Sequence, residues 1–177
     1  DQAEVDYPTH DWAVSDWNYD AMVEMAQKLS LDGSGLSSTQ EGFSPEDQSQ
    51  WGYDELQCGV SINALAQSWG AENMGWSDDF RTLYFNQQAW VDRLQWVSDA
   101  IWKWYIMPSA QQSAAAAPGF DSGKLGIDQC HSWMMGEFAE LPFRWNVAAI
   151  PFGPAGKRVA QCDVDGFLIC NQFADLD

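Results

Sequence analysis

The sequence predicts an α/β domain in which helices alternate with short strands. Three observations carry that prediction. Apolar residues recur at three- and four-residue spacing over 18–29 and 86–105, the period of amphipathic helices. Short apolar runs beside glycine-marked turns, at 123–127, 145–150 and 164–170, have the length and setting of strands. The chain of 177 residues is 46% hydrophobic, which suits one core, and no repeat points to a solenoid.

Taken in order, residues 1–16 are acidic, contain Pro8 and read as an entering strand or linker. Asn18 stands where a helix N-cap belongs, and Met22, Ala26 and Leu29 follow on one face. Leu31-Asp32-Gly33-Ser34-Gly35 breaks that helix. Residues 37–53 are polar and read as loop, with one short strand near Gly42-Phe43. A second helix is expected over about 54–69, with Leu56, Val60, Ala64 and Leu65 on one face. Gly59 weakens it by ~1 kcal/mol, and Gly70 ends it.

Residues 82–85 read as a strand, after which Asn86 caps a helix to about Tyr105. Trp90, Leu94, Val97, Ile101 and Tyr105 form its buried stripe, while Trp96, Trp102 and Trp104 lie off it on a second packed face. Pro108 closes the element. A loop over 109–118 leads to a buried strand at Leu125-Gly126-Ile127, then a short helix over 133–138. Strands at 145–150 and 164–170 flank the turn Gly153-Pro154-Ala155-Gly156.

Composition excludes several function classes. Eight Lys and Arg against 26 Asp and Glu give a net charge of −18. Nucleic acid and anionic membrane are therefore poor partners, because both need a basic footprint. Eleven Trp, nine Phe and five Tyr are too many for a disordered chain. No apolar run approaches the roughly 18–20 residues of a membrane span. No basic-then-apolar leader precedes Asp1, so a signal peptide is expected to be absent or removed. Cys58, Cys130, Cys162 and Cys170 contain no CxxC pair. They read as small buried thiols, with up to two bridges and three connectivities left open.

Catalytic chemistry finds little support. Pairs such as Asp78-Asp79 and Asp163/Asp165 have no partner to drive their pKa values apart. Two histidines, His10 and His131, accompany no G-x-S-x-G elbow. Cys130 and His131 are adjacent, so a strand would point them to opposite faces. With Asp128 they read as satisfied polar groups rather than a metal site. No phosphate-cradling glycine loop is present. What remains is tryptophan beside hydrogen-bonding side chains, a physically sensible shelf for the flat C–H faces and hydroxyl rim of a sugar. Trp51-Gly52-Tyr53 and His131-Ser132-Trp133 have that character, both at expected loop or strand-end positions.

Four segments in order carry a family resemblance. Asp16-Trp17-Asn18-Tyr19-Asp20 opens a helix that ends in Ala26-Gln27-Lys28-Leu29. Tyr84-Phe85-Asn86 precedes the long helix to Pro108. Phe120-Asp121-Ser122-Gly123-Lys124-Leu125-Gly126-Ile127 leads to Trp133. Phe143-Arg144-Trp145-Asn146-Val147-Ala148-Ala149-Ile150-Pro151 runs into Gly153-Pro154-Ala155-Gly156-Lys157. Together they resemble the extracytoplasmic solute-binding proteins of ABC importers, in the sugar-binding, maltose-binding-protein-like family. The resemblance spans about 12–172 and covers less than half of a usual member.

The resemblance implies one lobe, the second, of a periplasmic-binding-protein type II fold, with a small mixed sheet flanked by helices. Residues 1–158 would form the lobe, with 1–16 as entering segment, and 159–177 a returning strand that belongs to the partner lobe. The chain would then be a fragment or an unusual stand-alone lobe. By position Trp133 matches a tryptophan that stacks on sugar, with His131 and Ser132 replacing the family's Gly-Pro before it. Trp51 and Tyr53 fall in a loop that reaches the cleft. Asp163, Asp165 and Gly166 occupy a glycine-rich return, and Asp165 joins the expected ligand contacts.

The implied role is non-catalytic binding of a sugar or oligosaccharide, without metal or cofactor, in the periplasm or outside the cell. The implied partners are a missing first lobe, an ABC permease and a second copy of the chain through self-association or strand exchange. Alternatives are a stand-alone protein-interaction domain and a small glycan-active hydrolase, which would need two positioned carboxylates.

Overall fold

A computed structural model describes residues 5–55, 65–72, 75–116, 118–160 and 162. Helix α1 (Tyr19–Leu29) starts as expected: the Asn18 side chain accepts the Ala21 N–H at 3.0 Å. Asp20 in its first turn and Lys28 in its last complement the helix dipole. Its buried face is Tyr19, Met22, Val23 and Ala26. At its end the Ser30 hydroxyl donates to the Ala26 carbonyl at 2.9 Å and accepts the Gly52 N–H at 2.9 Å. One buried serine thus satisfies the helix end and fastens it to the sheet.

Among the described residues the sheet has three strands: β1 (Leu31–Asp32), β2 (Gln48–Glu55) and β3 (Leu125–Gln129), in the order β1-β2-β3. β1 runs antiparallel to β2 and β3 parallel to it, with Asp54 opposite Asp128. β1 and β2 correct the sequence reading. The expected breaker supplies a short edge strand, and the expected loop contains the eight-residue centre of the sheet. The polar character of the segment around Asp32 and Gln48 is misleading, because these groups are satisfied internally. Asp32 accepts backbone N–H groups of Ser34, Leu36 and Ser44 at 2.9–3.0 Å. Burial alone would raise its carboxyl, but these N–H groups outweigh it and hold the carboxyl below the ordinary range. Gln48 reaches the Tyr105 carbonyl at 2.8 Å and Gln50 the Leu29 carbonyl at 2.7 Å.

Helix α2 (Gln88–Trp102) is shorter than expected and turned about its axis. Trp90, Arg93, Trp96 and Ala100 are buried, whereas Leu94 is 49% exposed. An arginine at the centre of the inward face is what displaced the sequence-read stripe. α2 ends through N–H bonds from Lys103 and Trp104 to the Asp99 carbonyl, and the chain reverses at Tyr105 with φ 55°.

Other expectations fare unevenly. Residues 82–85 form no strand; Leu83 makes a single bridge to Trp76. The expected loop at 109–118 contains α3 (Ala110–Ala116). Ser132–Gly136 is a 3-10 turn where a short helix was expected. Residues 145–150 join no sheet, although the Ala149 N–H donates to the Thr9 carbonyl at 2.9 Å. The turn at 153–156 closes through the Gly156 N–H to Gly153. Residues 65–68 are helical, but Asp54 and Glu55 finish β2 instead of opening that helix. The rest of that expected helix, and the expected strand at 164–170, lie outside the described residues.

The core is the space between α1, β2 and α2. Trp17, Tyr19, Met22, Ala26, Tyr53, Trp96, Ile106 and Met107 fill it. Tyr19, Tyr53, Trp69, Trp96 and Trp104 meet edge to face at centroid distances of 4.6–5.9 Å. At Gly52 a Cβ would stand 1.9 Å from the Ala26 carbonyl oxygen, so α1 lies directly on β2. No helix among the described residues is long and apolar enough to cross a membrane.

Candidate functional site

The carboxyl ends of the two parallel strands open into a cleft of about 630 Å³. Ligands of open α/β sheets characteristically bind at that end. β2 contributes Asp54 and Glu55, and the β3 end contributes Asp128 and Cys130. Ala110 and Ser113 of α3 form one wall. Phe120, Asp121, Met134, Glu137 and Phe138 close the other, with Phe120 5.1 Å from Phe138 between ring centres. The lining therefore combines an aromatic surface with carboxyl groups, and none of its residues is Lys or Arg.

Neighbouring carboxyls in this cleft experience different fields. Burial pushes Asp54 up to about 6, helped by the charges of Asp128 and Glu55 and opposed by the Glu55 N–H, which donates to it at 2.8 Å. Burial raises Asp128 as well, with Asp121 adding to the rise and the Cys130 thiol opposing it. The Cys130 thiol is itself pushed up to about 12 by burial and by Asp128, so it is a neutral donor. Glu55 is paired with Arg93, and its Oε2 lies 2.8 Å from the Tyr53 hydroxyl. That hydroxyl is also 2.9 Å from Gln129 Oε1 on β3. Burial drives the Tyr53 hydroxyl well above its ordinary range, so it too stays protonated.

Of the sequence candidates, His131, Ser132 and Trp133 precede or share the 3-10 turn whose Met134 lines this cleft. Trp133 sits on the 3-10 turn, 64% exposed, with its ring 5.7 Å from that of His131 and 12° from parallel. Ser132 is exposed next to it. Met134 and Glu137, from the same stretch, line the cleft while Trp133 projects to solvent. Trp51 and Tyr53 are corrected: they lie in β2 rather than a loop, 1% and 0% exposed, as part of the packed interior. Asp165, with Asp163 and Gly166, lies outside the described residues, as do Cys58 and Cys170. Cys130 and Cys162 carry free thiols, and Cys162 is exposed rather than buried.

Sequence reasoning missed Asp54, Glu55 and Arg93. The available signal was strand alternation: once Trp51 and Tyr53 are placed in a strand, Asp54 must point away from them. Arg93 left no signal, because a charged residue scores as solvent-facing. Among the described residues no group of three or more His, Cys, Asp or Glu is placed to hold a metal ion.

No family model and no curated protein matches the chain by sequence. Solved structures do match by fold. UspC of Mycobacterium tuberculosis superposes with a TM-score of 0.70 at 22% identity, over 88% of this chain and 40% of UspC. The ABC substrate-binding protein Lmo0181 of Listeria monocytogenes, in complex with cycloalternan, gives 0.60 at 19%, over 86% and 34%. The maltose/maltodextrin-binding domain MalE of Bdellovibrio bacteriovorus, bound to maltotriose, gives 0.60 at 15%, over 89% and 37%. The chain thus spans two fifths or less of each of these three proteins. Its fold is one lobe of a MalE-like binding protein: a small mixed sheet with helices against it.

Proposed function

We propose that this chain is a carbohydrate-binding lobe of an extracytoplasmic protein that delivers its ligand to an ABC permease. The observation that carries the reading is the cleft at the carboxyl ends of β2 and β3, with Phe120 and Phe138 beside Asp54, Asp121 and Asp128. An aromatic surface removes the C–H faces of a pyranose from water, and carboxyl groups take its hydroxyls. Structures with this fold include proteins in complex with cycloalternan and bound to maltotriose, which supports a sugar over other solutes. Trp133, with its ring stacked on His131 and Ser132 next to it in sequence, offers a further exposed aromatic face on the turn that also carries the cleft residue Met134. The two central carboxyls are raised in the same direction.

A single lobe leaves one side of its ligand in water, so affinity is expected on the order of millimolar. The test is an NMR titration with maltotriose, reading Asp54, Phe120 and Met134, on the parent chain and on Trp133→Ala. Saturable shifts at the cleft residues, weakened several-fold in Trp133→Ala, support the reading. A parent chain whose cleft resonances stay still up to the solubility of the sugar overturns it.

A further inference from the structure

The side chain of Arg93 is 1% exposed, and its guanidinium lies 4.8 Å from the Trp69 ring and 4.9 Å from the Trp96 ring. Two of its nitrogens, Nε and Nη1, are buried without a hydrogen-bond partner among the described residues; the third, Nη2, meets Glu55. A core that needed only volume at this point would be served as well by an apolar residue, since buried ion pairs are often replaceable at no loss of stability. The partner of Arg93 is what distinguishes the position. Glu55 lines the cleft, immediately beside Asp54 and across the parallel ladder from Gln129. Through Tyr53, the same carboxylate is tied to Gln129, so α2, β2 and β3 meet at one buried knot.

We propose that Arg93 is the positioning residue of the cleft: from α2 it balances and fixes Glu55, so that the cleft wall presents Asp54 and Asp128 to a ligand instead of three unbalanced acids in a row. The argument starts from the proposed role of the cleft as the binding site. Among the described residues, the charged and titratable groups around Asp54 are Glu55 and Tyr53 on its own strand, Asp128 and Cys130 at the β3 end, Asp121 on the 3-10 turn Phe120–Ser122 after α3, Glu137 of the cleft lining, and Arg93 behind Glu55. Arg93 is the single cation in that set. Glu55 already raises Asp54 with Arg93 in place; removing Arg93 would leave the Glu55 charge uncompensated beside Asp54, and removing Glu55 would leave the guanidinium uncompensated.

The two substitutions therefore move Asp54 in opposite directions, which a space-filling role for Arg93 would not do. The experiment follows the Asp54 carboxyl carbon by NMR across pH in the parent chain, Arg93→Met, Glu55→Gln and the double variant. Opposite charges at short range shift a carboxyl by about one pH unit or more. The expected midpoint rises from about 6 in Arg93→Met, falls in Glu55→Gln and returns toward the parent value in the double variant. If Arg93→Met does not fold, Glu55→Gln and the double variant still decide. A folded Glu55→Gln whose Asp54 titrates as in the parent overturns the proposal, as does a shift of the same sign in every variant. No sugar enters this measurement. Opposed shifts in a chain that ignores maltotriose would leave Arg93 in its role and remove the carbohydrate reading, and a chain that binds maltotriose without opposed shifts would do the reverse.

Discussion

Two adjacent residues of one strand, Glu55 and Asp54, face two different kinds of interior. Glu55 borders the cleft but pairs its carboxylate within the sealed half of the molecule, where α1, β2 and α2 enclose a knot of tryptophans and tyrosines and supply a guanidinium for its charge. Asp54 meets the open half, where β3, α3 and two 3-10 turns leave space and no basic side chain lines the wall. Both halves desolvate a carboxyl. The sealed half compensates the charge; the open half leaves it uncompensated. Charge compensation changes at the pleat of β2.

The sharpest way to break this contrast is to remove the compensation. Arg93→Met alone should cost about 3–5 kcal/mol in urea unfolding, because a buried carboxylate loses its cation. The double variant with Glu55→Gln should recover most of the loss, and an equal loss in both would mean that the charge is not what matters. Next in size is Gly52→Ala, expected to cost roughly 2–4 kcal/mol, since the added methyl must push α1 off the sheet. Retention of the parent midpoint would show that α1 can slide.

The open half should respond with the opposite sign. The Asp54 carboxyl is raised to about 6 in the folded chain against 3.8 unfolded. The native state therefore holds the proton more tightly, and stability declines as pH rises from about 4 through 6. Asp54→Asn should remove that decline and gain roughly 1–3 kcal/mol at pH 7, with no gain below about pH 4. Urea midpoints at the two pH values check it, and a gain of equal size at both would assign the effect to packing. Smaller still, Trp133→Ala should change stability by no more than about 0.5 kcal/mol, as its ring is mostly in water. The effect of that substitution belongs to the maltotriose titration. Self-association, the weakest effect, should grow with salt as the charge of −18 is screened. Sedimentation showing the same monomer at low and high ionic strength would count against a second copy as partner.

Legibility followed the same division. α1 was readable because its cap, its period and its breaker agree, each a local property of Asn18, Met22, Ala26 and Gly33. β3 was readable because Leu125 and Ile127 follow a glycine turn. β2 was not, since its inward residues stand among Gln48, Gln50 and Glu55, whose polar groups are satisfied by distant carbonyls and by Arg93. The same pair turned the expected face of α2. At the cleft, Trp51 and Tyr53 of the tryptophan-rich triplets are interior, whereas the cleft is lined by Asp54, Asp128 and residues of the 3-10 turn that carries Trp133.

The sequence by itself determined what depends on near neighbours: the cap and stripe of α1, the turns at Gly123 and Gly153, the net charge of −18, and the order of segments that resembles a binding-protein lobe. Tertiary structure alone decided which charges are buried and whether they are compensated. That outcome depends on Arg93 meeting Glu55 across 38 residues and on Asp54 meeting Asp128 across a parallel ladder. Electrostatic energy in a low-dielectric interior is set by distance in space, which spacing along the chain does not encode.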